Sequence, residues 1–575
     1  MTPAVWHNSG MPSLVRGGFR FLSSEVRGLE AAVYVLAGCA ILSSLLGLVR
    51  DRLFAHTFGA GTELDIYYAA FRIPDILFVA TGALVSVYVL IPELARRSSA
   101  EQKNYIDTVL VGFSVLSSFL AVIALILAPY ILRTLFPQLT LSGHLSALVG
   151  LTRILLLQPI LLGFSNILAA ITQSRRRYAL YAVSPLLYNL GIISGLLVLY
   201  PLMGMRGLAW GVVIGAALHL GIQVPSVLRD GFLRELLYPH EWRALLLTAS
   251  VSIPRALTLS MNQISFLGLM VLAALLSSGS IAVFMFAYNL QAVPLAIIGA
   301  SYSVAAFPAL ASALSEGRHE EFLEHISTAA RHILFWSLPV SALVIVLRAH
   351  IVRVILGSGA FDWTDTRLTA AAFGLFSLSL AAQGLMLLLA RGYYAAGRTF
   401  VPFIVATVGA GVTVALGVLF TGFLRDETSL RVLQDLMRVQ GLSGSAVLAL
   451  PLAYAIASIA GLIILVIHFE WRWGGFFARI RRSLLHAAAA ALSAGLAAYL
   501  ALTLVGPLTL SSTLASVFLR GLFGGLVGIA AAMAVYALLK NREYAETVSA
   551  IRARLWRVPL APEHPIASGE DISQH

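Results

Sequence analysis

The sequence predicts an all-α polytopic membrane protein of about 14 transmembrane helices, built as two pseudo-symmetric six-helix lobes followed by a C-terminal helix pair. Three observations carry that prediction. Of 575 residues, 59% are apolar and 11% charged, whereas soluble domains carry about a quarter charged residues. The charges gather between apolar runs of roughly 20 residues, the length a helix needs to cross the hydrocarbon core. The runs are also unbroken, as in 441–468, while a membrane strand alternates polar and apolar residues over about 10 positions. A water-soluble enzyme and a β-barrel are both excluded.

The apolar runs fall in order at about 30–49, 66–91, 106–128, 147–173, 179–200, 207–228, 244–276, 280–312, 332–347, 368–390, 400–423, 442–468, 484–505 and 514–539. They are numbered spans 1 to 14. Backbone groups in lipid must be satisfied within their own segment, so each span reads as a helix. Cytoplasmic loops retain an excess of Lys and Arg. The loops after even-numbered spans, together with the two termini, hold 25 such residues and the loops after odd-numbered spans hold 10. Both termini are therefore expected in the cytoplasm, and Arg175, Arg176 and Arg177 are the sharpest marker. Residues 1–28 lack a long apolar stretch and read as a retained lead-in rather than a signal peptide.

A weak repeat relates span 2 (Pro74, Gly82-Ala83, Ser86, Pro92) to span 8 (Pro294, Gly299-Ala300, Ser303, Pro308). It suggests lobes at 29–228 (spans 1–6) and 229–470 (spans 7–12), an arrangement in which transporters place a substrate path between repeats. Residues 471–540 hold the final pair and 541–575 a cytoplasmic tail. Between spans 11 and 12, Leu430, Leu433, Leu436 and Met437 recur at helical spacing in a polar segment, as in a short surface helix. Gly521, Gly524, Gly525 and Gly528 give overlapping GxxxG spacings in span 14, which fit close helix packing or an apolar groove.

The formal charge of +12 is dispersed over short loops, so it points to membrane topology and not to nucleic acid. The single cysteine, Cys39, allows neither an internal disulfide nor a thiolate cluster. No HExxH, GxSxG or Walker A motif occurs, and the isolated histidines 219, 468 and 486 read as packing residues. No catalytic and no metal-binding residues are expected.

Ionisable groups at membrane depth are costly and usually functional. Asp65, Arg72 and Asp75 fall on nearly one face of span 2, where they form either a site or a structural ion pair, and Pro74 is expected to kink the helix and free a carbonyl. Arg50 ends span 1 and Arg255 lies early in span 7. A guanidinium fork suits a phosphate, and interfacial snorkelling is the alternative for both. Asn289 and Gln291 in span 8 can line a cavity or serve as interhelical glue.

Several segments taken together resemble the MurJ/MviN lipid II flippases. They are Ser43-Ser44-Leu-Leu-Gly47-Leu-Val-Arg50-Asp51, then Phe58-Gly59-Ala60-Gly61 and Asp65-Ile-Tyr-Tyr-Ala-Ala-Phe-Arg72-Ile-Pro74. Further on come Ser184-Pro185 with Asn189, Gly207-Leu-Ala-Trp210-Gly211 with Gly215, Phe307-Pro308, Gly359-Ala-Phe361, and Arg391-Gly-Tyr-Tyr-Ala395 with Thr399 and Pro402. The resemblance covers spans 1–12. It implies the multidrug/oligosaccharidyl-lipid/polysaccharide exporter fold, with two lobes around a cationic cavity and a final helix pair forming a groove for a polyprenyl tail. It also implies movement of the polyprenyl-diphosphate-linked peptidoglycan precursor from the inner to the outer leaflet of the bacterial cytoplasmic membrane by alternating access.

On this reading Arg50 and Arg72 contact diphosphate, Asp65 and Asp75 hold those arginines, and Asn289 with Gln291 lines the opposing wall, with Arg255 a further candidate. No cofactor is expected. The membrane potential and a coupling cation are the two energy sources left open, and cell-wall synthesis enzymes are candidate partners. The chain departs from the family at Ser44, Phe78-Val79, Tyr288-Asn289 and Ala292, where charged residues are usual, and in span 11, which lacks the Asn and Asp of sodium-binding members. A less cationic cavity follows. The alternatives are export of another lipid-linked oligosaccharide or amphiphile, a non-transporting cell-wall scaffold, and a membrane glycosyl transferase.

Overall fold

A computed structural model describes residues 29–82, 87–233, 242–506 and 512–555. The lead-in 1–28, the end of the tail, and Ala83 and Ser86 of the repeat lie outside them. The described residues form helices and turns with no strand. Ten of these helices are long and apolar enough to cross a bilayer, and an eleventh span is the pair Trp363–Ser377 and Leu380–Ala395, bent by 44°. The other three predicted runs fall on Leu29–Phe58, on the series Thr62–Ala70, Arg72–Thr81 and Val87–Ala95, and on Trp242–Ala274.

Packing sorts the helices into groups. Span 1 packs on span 5, span 5 on span 6, and span 6 on span 4; separately, span 7 packs on span 11, span 11 on span 12, and spans 8 and 9 on span 10. Spans 13 and 14 pack on each other and on span 9. Small residues set the closest approaches, as expected where lipid removes the hydrophobic drive between helices. A Cβ on Gly191 would lie 2.2 Å from the Cα of Gly215, and one on Gly195 2.5 Å from that of Gly211, so the glycines of spans 5 and 6 allow backbone-to-backbone contact. In span 14 a Cβ on Gly528 would meet Leu343 at 2.5 Å and Ala494 O at 2.8 Å. That stretch is used for packing.

Span 9 is the 37-residue helix His319–Ile355, much longer than its apolar run. At about 1.5 Å per residue it outreaches a hydrocarbon core of about 30 Å. Its polar first turns leave the core, and Glu324 and Arg331 pair there with Arg479 and Glu543. The polar segment between spans 11 and 12 forms the helix Glu427–Met437. Asp426 caps it by accepting from Ser429 N at 3.0 Å, a bond that holds this carboxyl below the usual carboxylate range.

Span 2 breaks at Phe71, between Thr62–Ala70 and Arg72–Thr81. Pro74 has no N–H to offer the carbonyl four residues back, and its ring crowds that group. The released oxygen is that of Ala70, which accepts from the Thr152 hydroxyl of span 4 at 3.2 Å. The helix is interrupted three residues before the proline, and the carbonyl it frees has a partner from another helix.

Candidate functional site

Spans 1 and 2 meet spans 7, 8 and 9 along one seam, which has two layers. The first lies at the end of the molecule that carries the loops after odd-numbered spans. There Asp65, 4% exposed, accepts from Gly279 N at 2.6 Å and Ala282 N at 2.8 Å. Those N–H groups begin the helix Ser280–Leu295, where four donors lack intrahelical partners and the dipole favours a negative charge. Beside it, Arg52 donates to Val354 O at 2.6 Å and Ile355 O at 3.0 Å, the carbonyl end of span 9. Ala360 N donates to His56 O at 2.9 Å, Ala60 N to Asp365 at 3.0 Å, and the hydroxyls of Thr62 and Ser278 are hydrogen-bonded.

The backbones are in contact at this layer. Gly279 has φ +84° and a Cβ there would lie 1.9 Å from Ala60 O, so only glycine fits that crossing. Two segments of the family resemblance, 58–61 and 359–361, thus face one another across the seam.

The second layer is seven residues deeper on both sides, from Asp65 to Arg72 in span 2 and from Ala282 to Asn289 in span 8, or about 10 Å along a helix. Arg50 donates Nε and Nη2 to Asp51 at 3.0 and 2.8 Å and Nη1 to Asn189 of span 5 at 3.2 Å. Asn189 in turn donates to Ser43 at 3.3 Å. Across the seam, Asn289 donates to the second oxygen of Asp51 at 3.0 Å. Arg72, 5% exposed, pairs with Asp75 at 3.1 Å and donates Nε to Tyr68 O at 3.2 Å. Its guanidinium lies 5.2 Å from the ring centre of Phe266 in span 7. Phe266 stands within an aromatic cluster of Phe284, Tyr288, Phe376 and Tyr454.

The structure brings Arg50, Arg72, Asp75 and Asn289 to one layer and corrects two expectations. Asp65 does not hold an arginine; the break at Phe71 separates it from Arg72, and backbone donors of span 8 take both its oxygens. Gln291 does not line the seam. It is 1% exposed with neither amide atom hydrogen-bonded, because two residues along a helix is about 200° of rotation from Asn289. The side chain of Arg255 lies outside the described residues. Asp51, Asn189, Arg52, Asp365 and Phe266 complete the seam and are not among the expected site residues; the readable signals are the adjacency of Asp51 and Arg52 to Arg50 and the place of Asn189 in the family resemblance.

The family model described as "Lipid II flippase MurJ" matches residues 54–519. The chain belongs to the lipid II flippase MurJ family. A probable lipid II flippase MurJ of Rhizobium tropici is 26% identical over 552 residues, covering 92% of this chain and 96% of that protein. The lipid II flippase MurJ of Burkholderia cenocepacia is 23% identical over 382 residues, 64% of this chain and 73% of its own length. Among solved structures, a lipid II flippase MurJ in an inward closed conformation superposes with a TM-score of 0.67 at 22% identity, over 89% of this chain and 99% of that one. An inward-facing multidrug resistance MATE family transporter of the MOP superfamily gives 0.60 at 16% identity, over 78% and 99%. The chain therefore has the MurJ and MATE transporter fold of a multi-pass membrane protein.

Proposed function

We propose that this chain moves lipid II, the polyprenyl-diphosphate-linked peptidoglycan precursor, from the inner to the outer leaflet of a bacterial cytoplasmic membrane by alternating access. The observation that carries the reading is the two-layer seam. Two guanidinium groups sit at the boundary between lobes, below an end closed by backbone contacts. A diphosphate matches the guanidinium fork, and a seam with one sealed end is half of an alternating cycle.

The arginine distribution assigns the sealed end to the outer face and both termini to the cytoplasm. The lobes at 29–228 and 229–470, with the pair at 471–540, are the bodies that move. The reading requires no bound cofactor and no catalytic residue. The membrane potential, worth about 2.3 kcal/mol per net charge per 100 mV, and a coupling cation are the two energy sources open to the cycle. Cell-wall synthesis enzymes are the expected neighbours.

A different polyprenyl-diphosphate-linked glycan is the second reading, favoured by the uncharged Tyr288, Asn289 and Ala292 of span 8 where charged residues are usual in the family. The test is complementation: the chain should support growth of a host depleted of its own flippase, and Arg50→Ala and Arg72→Ala variants should fail. Equal growth with both variants would remove the arginines from the mechanism. Exchange of the head group in a reconstituted flipping assay separates the two substrates.

A further inference from the structure

Arg72 is already occupied in this structure. Asp75 takes its Nη2, the Tyr68 carbonyl takes its Nε, and the ring of Phe266 covers it from the opposite lobe. A guanidinium this buried cannot stay unpaired, because a bare charge away from water is far costlier than a paired one. Asp75 keeps 27% of its side chain exposed against 6% for Arg72, so it is the partner with room to leave the pair.

Resting on the flippase reading, we infer that Asp75 is an internal stand-in for the substrate's diphosphate, which displaces it from Arg72 and in doing so lifts the guanidinium off Phe266. A diphosphate carries more charge than a carboxylate and accepts from both arms of the fork, so the exchange favours substrate when substrate is present. When it is absent, Asp75 returns and the lobes close on a neutral pair. Loaded and empty carriers are thereby both compensated, and the state with an uncompensated arginine is avoided. Because Phe266 belongs to span 7 and Arg72 to span 2, the exchange also removes one contact between lobes, which ties anion binding to their separation. Asp75 and Phe266 are positioning residues in this scheme, and Arg72 is the group that touches substrate.

The sign of one substitution decides the matter. If Asp75 only aims Arg72, removing its charge weakens binding; if it competes, removing its charge strengthens binding. The full-length chain in lipid nanodiscs is titrated with a long-chain polyprenyl diphosphate, and turnover is followed in proteoliposomes. Asp75→Asn should bind about tenfold tighter yet turn over more slowly, because the empty carrier closes on an unpaired charge. Phe266→Leu should tighten binding by a smaller factor. Arg72→Gln should lose binding and make Asp75→Asn without effect in the double variant. Wild type that binds while Asp75→Asn binds equally or more weakly overturns the exchange and leaves the flippase reading standing. Wild type that is folded, by cooperative melting, and binds no polyprenyl diphosphate overturns both. Should Asp75→Asn fail to fold, an unchanged or weaker affinity in Phe266→Leu refutes the exchange by itself.

Discussion

Asp65 commits both carboxylate oxygens to backbone donors of a helix in the other lobe, so its contribution belongs to the closed seam and not to the fold of span 2. Asp65→Ala leaves two buried N–H groups without a partner, at about 1–3 kcal/mol each, and the closed state should lose population by tenfold or more. Asp65→Asn, with one acceptor in place of two, should fall between. Distances between spin labels on the two lobes at this end report the populations, and an unchanged distribution in Asp65→Ala would refute the capping role. The residue was legible as important from its charge at membrane depth, but its partner was not. Backbone N–H groups more than 200 positions away carry no side-chain signature, whereas the Arg72–Asp75 pair lies three residues apart on one helix and is readable from spacing alone. Gln291 and Asn289 are polar residues on opposite faces of an otherwise apolar span 8, and such a helix does not reveal which of the two faces meets the other lobe.

At the scale of elements, the proline in span 2 and the threonine in span 4 act as one unit. Thr152→Val should leave the Ala70 carbonyl buried without a donor and destabilise the protein by about 1–3 kcal/mol. In a Pro74→Ala background the new N–H of residue 74 can reach that carbonyl, so the same Thr152→Val change should cost less than half as much. Thermal unfolding of the four proteins in detergent gives the coupling, and additive losses would show that the Ala70 oxygen does not depend on Thr152. The freed carbonyl is readable in the sequence, since any proline inside a span releases the carbonyl four residues before it. The donor to that carbonyl is not, since Thr152 is one hydroxyl among many in apolar runs. Span lengths were less legible for a related reason: hydropathy reports the part of span 9 in lipid and is blind to the polar turns by which His319–Ile355 continues beyond it.

For the molecule as a whole, the seam at the odd-loop end predicts that its opening is obligatory in every cycle. The hydroxyls of Thr62 and Ser278 touch across it, so cysteines at these two positions stand within the reach of a disulfide. The background should carry Cys39→Ser, because that native cysteine is partly accessible in span 1. Oxidation of the Thr62→Cys/Ser278→Cys protein should stop lipid translocation in proteoliposomes and leave substrate binding at Arg50 and Arg72 intact, since the second layer lies about 10 Å deeper. Reductant should restore transport, and either single cysteine variant should transport under both conditions. Translocation that continues through the oxidised pair would mean that the lipid passes without parting spans 1 and 2 from spans 7 and 8 at this end. Alternating access would then be the wrong description of how this fold works, whatever the arginines bind.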